Sequence, residues 1–220
     1  MEKIACVTTE CPLQCLRCAL WKEDQSDIDL TTIKILPSKY QKPILDIMGG
    51  DPLLHPDLAF FLNNHQNFKI RLWTTGTLPV EQLQKIQNLI SEIYVYLPTI
   101  FSDKYIEITG ADYLDTVLDF ITYIKEIKKS VTINCPVYPD TIQDMPFIHE
   151  YAKSQNIPIC FHFSQDFSKE SYHYLYRYHR IKGTYIIKID HYSNCIAYPD
   201  ISQNSWKTQA LNIARHILQL

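Results

Sequence analysis

The chain alternates short apolar runs with longer stretches of helical spacing. Ile4–Thr8, Ile44–Met48, Lys69–Thr74, Ile93–Leu97, Val131–Pro136 and Ile159–Phe163 are brief, largely apolar and bounded by turn residues, so they predict short buried strands. Between them, apolar residues recur every three or four positions. Pro56–Asn64 sets Leu58, Phe61 and Leu62 on one side, and Val80–Ile90 repeats Leu83, Ile86 and Ile90 after Pro79. Tyr113–Ile127 carries Leu114, Val117, Leu118, Ile121 and Ile124 on one stripe, and Met145–Gln155 is a shorter helix after the loop at Pro139–Asp144. Most strands thus feed a helix that leads to the next strand. Parallel neighbours need such a crossover, so the expected class is α/β with a parallel sheet.

Six strand–helix units suit an open or partial barrel, because a complete eight-unit barrel typically takes about 250 residues and this chain has 220. Past the sixth strand the pattern continues as a tyrosine-rich stretch (Tyr172–Lys182), a strand (Tyr185–Ile189) and an amphipathic helix with Trp206, Ala210, Ile213, Ala214 and Ile217 facing one way. The expected division is a barrel over 1–165 and a C-terminal extension over 166–220, a strand and helix packing on that barrel.

Composition narrows the function. With 46% apolar residues the chain can bury one sizeable core. A formal net charge of -3 gives no basic field for nucleic acid. The N-terminal MEKIACVTTECP lacks the pattern of a signal peptide, and no run reaches the roughly 18–20 apolar residues that span a bilayer. The expected location is therefore the cytoplasm, with no membrane partner. Seven cysteines is an odd number, and three of them (Cys11, Cys15 and Cys18) crowd into eight residues. Metal-ligating thiolates in a reducing compartment fit that better than a disulfide framework.

The segment Cys11-Pro-Leu-Gln-Cys15-Leu-Arg-Cys18 directly follows the first predicted strand. In parallel α/β folds, loops at the carboxyl ends of strands build the active site. Three thiolates can ligate three irons of a [4Fe–4S] cube, which usually takes four cysteines; the fourth iron would be left for an outside ligand. Zinc prefers four ligands, commonly two C-x2-C pairs, and no second pair exists, although His55 could supply a fourth ligand or be an ordinary surface or capping residue. Cys135 and Cys160 sit inside predicted strands and read as small core residues, as does Cys6. Cys195 reads as structural or as a catalytic thiol; a single thiol holds no auxiliary cluster.

C-x3-C-x2-C after the first strand resembles the signature of the radical S-adenosylmethionine (radical SAM) superfamily. Met48-Gly49-Gly50-Asp51-Pro52 ends the second strand and resembles that family's Gly-Gly-Glu-Pro motif, with Asp for Glu. Paired glycines let a backbone approach a ligand closely, and in the family this segment binds the amino group of SAM. Trp73-Thr74-Thr75-Gly76 resembles the family's Thr-Asn-Gly, and Thr75 could reach the ligand through its hydroxyl; a plain strand terminus reads the same way. The segments Asp103–Gly110 and Val131–Asp140 also look family-like, so the resemblance spans roughly residues 1–163.

The resemblance implies the fold, a partial (βα)6 TIM-like barrel of the radical SAM type, and the cofactors, a [4Fe–4S] cluster and S-adenosylmethionine. It implies reductive cleavage of SAM to a 5′-deoxyadenosyl radical that takes hydrogen from a small molecule or a peptide side chain, with an electron donor such as flavodoxin or ferredoxin. Cys11, Cys15 and Cys18 would hold the metal; Gly49, Gly50, Asp51, Pro52, Thr75, Asn134 and Arg17 would bind the cofactor. Arg17 stands where the family usually has a hydrophobic or aromatic residue against the adenine, and a guanidinium can stack on a ring. Tyr96 and Thr99 could offer hydroxyls toward the ribose, with no role carried over.

Two other readings stand beside this one. An activating enzyme that installs a glycyl radical on a protein partner suits the compact size, although the family's Asp-Leu-Lys-like element is missing. A non-catalytic iron–sulfur or zinc protein would have no use for the Gly-Gly-Asp-Pro turn. Tyr172–Lys182 reads as an amphipathic helix with a tyrosine-rich buried face, or as an aromatic and basic run able to stack on single-stranded nucleic acid.

Overall fold

The structure, a computed structural model, describes residues 2–18, 20–22, 26–31, 33 and 43–163, together with the backbone of two later strands over 186–189 and 195–198. The Tyr172–Lys182 run and the terminal helix expected around Trp206–Ile217 lie outside the described residues. The chain forms two compact units: Met1–Tyr96 with Phe101–Thr132, and Leu97–Ile100 with Ile133–Leu220.

In the first unit, four strands run side by side in chain order: β1 (Glu2–Cys6), β2 (Ile44–Met48), β3 (Lys69–Thr74) and β4 (Glu92–Tyr96). Neighbours are parallel, with Ile4 opposite Asp46, Asp46 opposite Arg71 and Trp73 opposite Tyr94. Period-two alternation gives the sheet two different faces. Leu45, Ile47, Ile70, Leu72, Ile93 and Val95 are buried on one, while Asp46, Arg71, Trp73 and Tyr94 lie on the other.

The helices of this unit are α1 (Leu58–Asn63), α2 (Val80–Gln84), α3 (Ser102–Thr109) and α4 (Leu114–Glu126). Of the stripe expected on α4, Leu114, Val117, Ile121 and Ile124 are buried while Leu118 is half-buried, and Phe120 joins the buried side instead. The helix expected over Val80–Ile90 is α-helical only to Gln84. It continues in tighter turns, with Ile86 N–H donating to Leu83 O (3.0 Å) and Leu89 N–H to Ile86 O (2.8 Å), so Leu83, Ile86 and Ile90 all stay buried.

β5 (Ser130–Val137), which belongs to the second unit from Ile133 onward, pairs there in parallel with β6 (Ile159–Phe163), the two joined by α5 (Met145–Ser154). Val131, Ile133, Cys135 and Val137 are buried while the residues between them are half-buried, a clean alternation along β5. Two further strands follow, β7 (Ile186–Ile189) and β8 (Cys195–Tyr198); β8 pairs antiparallel with both β6 and β7. The first was expected and the second was not: β8 is four residues long and carries no strong period. The fold is α/β, and the sheet is not closed.

Cys135 and Cys160 are buried, as expected, but Cys6 is exposed. The reason is phase. On β1 Ala5 is buried and Ile4 is 70% exposed, so the even positions, Cys6 among them, point away from the core. Among the described residues no helix is long and apolar enough to cross a membrane.

Candidate functional site

β1 leads into an extended segment, Val7–Glu10, that lies against the turn after β2. Gly50 N–H donates to Thr8 O (2.8 Å) and Asp51 N–H to Glu10 O (2.7 Å). The glycines are there for this contact. A Cβ on Gly49 would stand 2.3 Å from Thr8 O, and one on Gly50 would stand 2.0 Å from Glu10 O, so no side chain fits at either position. The close approach that the glycine pair permits is thus to the chain's own backbone, just ahead of the cysteine loop.

Asp51 locks the same turn from inside. Its carboxylate is fully buried and accepts from Leu53 N–H (3.0 Å), Thr74 Oγ1–H (2.8 Å), Thr75 N–H (2.9 Å) and the Thr75 hydroxyl. Burial pushes the Asp51 carboxyl above its ordinary range, and these bonds pull it back. The Thr75 hydroxyl also meets Thr77 Oγ1 at 2.7 Å. The Asp51 and Thr75 side chains therefore bond each other and tie the turn after β2 to the turn after β3. Pro52 opens a 3-10 turn over Pro52–Leu54 that Asp51 caps.

The cysteine loop runs past Leu13, which is buried, and turns tightly where Cys18 N–H donates to Cys15 O (3.0 Å). Trp21 Nε1–H donates to the same carbonyl at 2.8 Å. On its other side the loop is fastened to α3, with Gln14 N–H bonded to Thr109 O (2.9 Å) and Leu16 N–H to Ile108 O (2.8 Å). These bonds satisfy carbonyls that a helix end leaves open.

Cys11, Cys15 and Cys18 are all half-buried. Burial pushes Cys11 up to about 12, helped by Asp51 and by the other two cysteines and opposed by a bond from Leu13 N–H. Burial likewise pushes Cys15 up to about 11, against a hydrogen bond with the Tyr96 hydroxyl. Thiols held this far above neutrality stay protonated until a metal displaces the proton. Among the described residues no three Cys, His, Asp or Glu side chains converge on one point, as a single zinc ion would require. Three thiols within one eight-residue loop can each bind one iron of a cube.

Of the remaining expected residues, Arg17 is exposed at the turn of the loop. Asn134 belongs to the second unit, on β5 opposite Cys160, and its Oδ1 is buried without a hydrogen-bond partner. Thr99, also in that unit, donates to Asp144 Oδ2 (3.0 Å). His55 is neither exposed nor free to bind a metal: it is buried, Nδ1 accepts from Asp57 N–H (3.0 Å), and Nε2 lies 3.0 Å from Ile28 O. The Cys195 side chain lies outside the described residues.

Sequence reasoning missed a polar group on the inner-facing strands of the first unit. Arg71 Nε donates to Asp46 Oδ1 (2.7 Å), a second guanidinium nitrogen reaches Oδ2, and Trp73 Nε1 donates to Oδ1 (2.7 Å). Trp73 stacks on Tyr94 with ring centroids 4.3 Å apart. The signal was the acid inside Ile-Leu-Asp-Ile-Met and the inner of the two bases in Lys-Ile-Arg-Leu-Trp-Thr, each interrupting an apolar strand.

Several known proteins are similar to this chain. A GTP 3',8-cyclase of Aliarcobacter butzleri is 27% identical over 121 residues, covering 52% of this chain and 38% of its own. A probable GTP 3',8-cyclase of Methanocaldococcus jannaschii is 26% identical over 160 residues, covering 67% of this chain and 53% of its own. The chain thus spans about half the length, or less, of these curated relatives. Among solved structures, Streptococcus suis SuiB bound to precursor peptide SuiA superposes with a TM-score of 0.64 at 15% identity, covering 83% of this chain and 46% of that one. The structure of anSMEcpe with bound AdoMet and Cp18Cys peptide gives 0.58 at 15% identity, covering 83% and 61%. The model of the Radical SAM superfamily matches residues 6–152, which take in the cysteine loop, the Gly49–Pro52 turn and the four strands β2 to β5, and the chain belongs to that superfamily.

Proposed function

We propose that this chain is a radical SAM enzyme whose cluster sits on Cys11, Cys15 and Cys18. Cys11, Cys15 and Cys18 would hold a [4Fe–4S] cluster, which together with S-adenosylmethionine would supply one-electron reductive cleavage of SAM and hydrogen-atom abstraction from a substrate. The observation that supports this reading is the stitching of the Gly49–Pro52 turn to Thr8 and Glu10, the residues just ahead of the three thiols.

The residues divide the work. The three thiols release their protons to bind iron. Gly49, Gly50 and Pro52 present backbone to the amino group of SAM. Asp51 and Thr75 act on SAM by shaping that turn, since their side-chain bonds run to each other. Arg17, exposed on the loop, stacks against the adenine. Residues 1–165 carry this activity, with 166–220 as an extension.

The substrate is a small molecule or a peptide side chain, the electron comes from a flavodoxin or ferredoxin, and the setting is cytoplasmic. The names of the relatives and of the superposed complexes support both substrate classes: a nucleotide cyclase on one side, and SuiB and anSMEcpe with peptides on the other.

The test is anaerobic reconstitution with iron and sulfide, followed by reduction with SAM present. The expected result is about four irons per chain and release of 5′-deoxyadenosine, lost in Cys15→Ala. A chain that binds the iron, accepts the electron and leaves SAM intact would overturn the proposal.

A further inference from the structure

Tyr105 is the one described side chain in the first unit with a buried polar atom that has no hydrogen-bond partner. The residue is 0% exposed, yet its hydroxyl meets no protein acceptor. Leaving a buried hydroxyl unpaired costs on the order of 1–3 kcal/mol, and such groups generally mark an absent partner.

The surroundings say what that partner is. Tyr105 lies on α3, the helix whose last carbonyls take the Gln14 and Leu16 amides of the cysteine loop. The Thr109 hydroxyl bonds back to Tyr105 O (2.7 Å), which fixes that turn of the helix. Two backbone bonds therefore hold the tyrosine in a set position relative to Cys11 and Cys15. Its hydroxyl lies within electrostatic reach of Cys15 and Cys11. A phenol is protonated at neutral pH, so this orphaned hydroxyl is a donor with no acceptor in the protein. The neighbouring Tyr96 hydroxyl already bonds Cys15, so it is not competing for a new acceptor.

We propose that Tyr105 donates a hydrogen bond to a sulfur of the cluster held by Cys11, Cys15 and Cys18, and that this bond raises the cluster's reduction potential. The inference rests on the function proposed above. A donor to a cluster sulfur favours the more negative, reduced state, and hydrogen bonds to the sulfurs are among the protein's means of setting the potential. Tyr105 is on this view a tuning residue: it makes the one-electron reduction that SAM cleavage needs easier for a weak donor.

The test compares the wild-type protein with Tyr105→Phe, which keeps the ring and loses only the hydroxyl. In the apo state the variant is expected to unfold at the same denaturant concentration or a higher one, because no protein bond is broken. After reconstitution its reduction midpoint, followed by the EPR signal of the reduced cluster, is expected to fall. The expected shift corresponds to a several-fold change in the oxidised-to-reduced ratio, a tenfold change being about 59 mV for one electron. Proton hyperfine spectra of the reduced wild type in H2O and D2O supply a second readout that needs no variant: one exchangeable strongly coupled proton is expected. An unchanged midpoint, an apo variant that is less stable, or the absence of that proton would each overturn the inference while leaving the proposed function standing. A wild-type chain that assembles no cluster would instead overturn the proposed function, and this inference with it.

Discussion

Arg71 on β3 grips Asp46 on β2 directly across the parallel register, with two guanidinium nitrogens on the two carboxylate oxygens. Both side chains are buried, and the Trp73 indole completes the set on Oδ1. Taking two charges out of water is expensive, so a pair like this is a poor source of net stability but is very sensitive to losing one member. Asp46→Ala is expected to destabilise the protein by about 3–5 kcal/mol. The double variant Asp46→Leu with Arg71→Met is expected to recover most of that loss. Urea unfolding of the three proteins checks both statements.

The backbone packing at Gly50 predicts a different kind of failure. Its Cβ position is 2.0 Å from Glu10 O, a distance that no rotamer relieves. In Gly50→Ala the segment Thr8–Glu10 must retreat, and the cysteine loop that follows must go with it. Iron uptake on reconstitution is expected to fall several-fold while far-ultraviolet circular dichroism stays near wild type. Full iron loading in the variant would show that the loop is positioned from its α3 side alone.

Asp51→Asn tests the internal lock. An amide nitrogen would replace one of the two oxygens that accept from Leu53, Thr74 and Thr75, leaving at least one buried donor facing another. The expected loss is about 1–3 kcal/mol for each group left unpaired, read from denaturant unfolding of the apo protein.

His162, on β6, is held neutral by burial, which lowers it from 6.5 to about 4. Its Nε2 lies 3.4 Å from Cys160 Sγ. A histidine with a depressed folded value binds its proton more readily in the unfolded chain. Its contribution is therefore fully present above pH 6.5 and is lost as the pH falls toward 4. The amount is roughly 3 kcal/mol at the acid end. His162→Gln is expected to flatten the stability profile between those limits; a profile with the wild-type slope would mean that another group titrates there.

Much of this was legible because the pattern and the packing obey the same period. β2, β3 and β6 fall where their apolar runs lie, and the strict alternation of β5 gives its buried residues one by one. The family was legible for another reason: three thiols in eight residues have few uses, and the superfamily match spans them. What the sequence left hidden depends on contacts between distant segments. No side chain caps α3, and it exposes Phe101 and Ile106, so neither caps nor periodicity announces it. The glycines looked like a place for a ligand to approach, whereas the close neighbour is Thr8 and Glu10, which only the folded chain brings there. His55 looked like a surface residue because nothing local shows that Ile28 lies against it.

The two amide bonds from Gln14 and Leu16 to the end of α3 also bear on how the protein is made. The thiols sit near the start of the chain, and the helix that holds their loop is made some ninety residues later. While the chain is being synthesised, three reactive sulfurs are therefore exposed on an unanchored loop, long before the surface that buries them exists. The spacing of Cys11, Cys15 and Cys18 is thus set by a tertiary contact made only once the final turn of α3 has formed, and not by the local sequence of the loop.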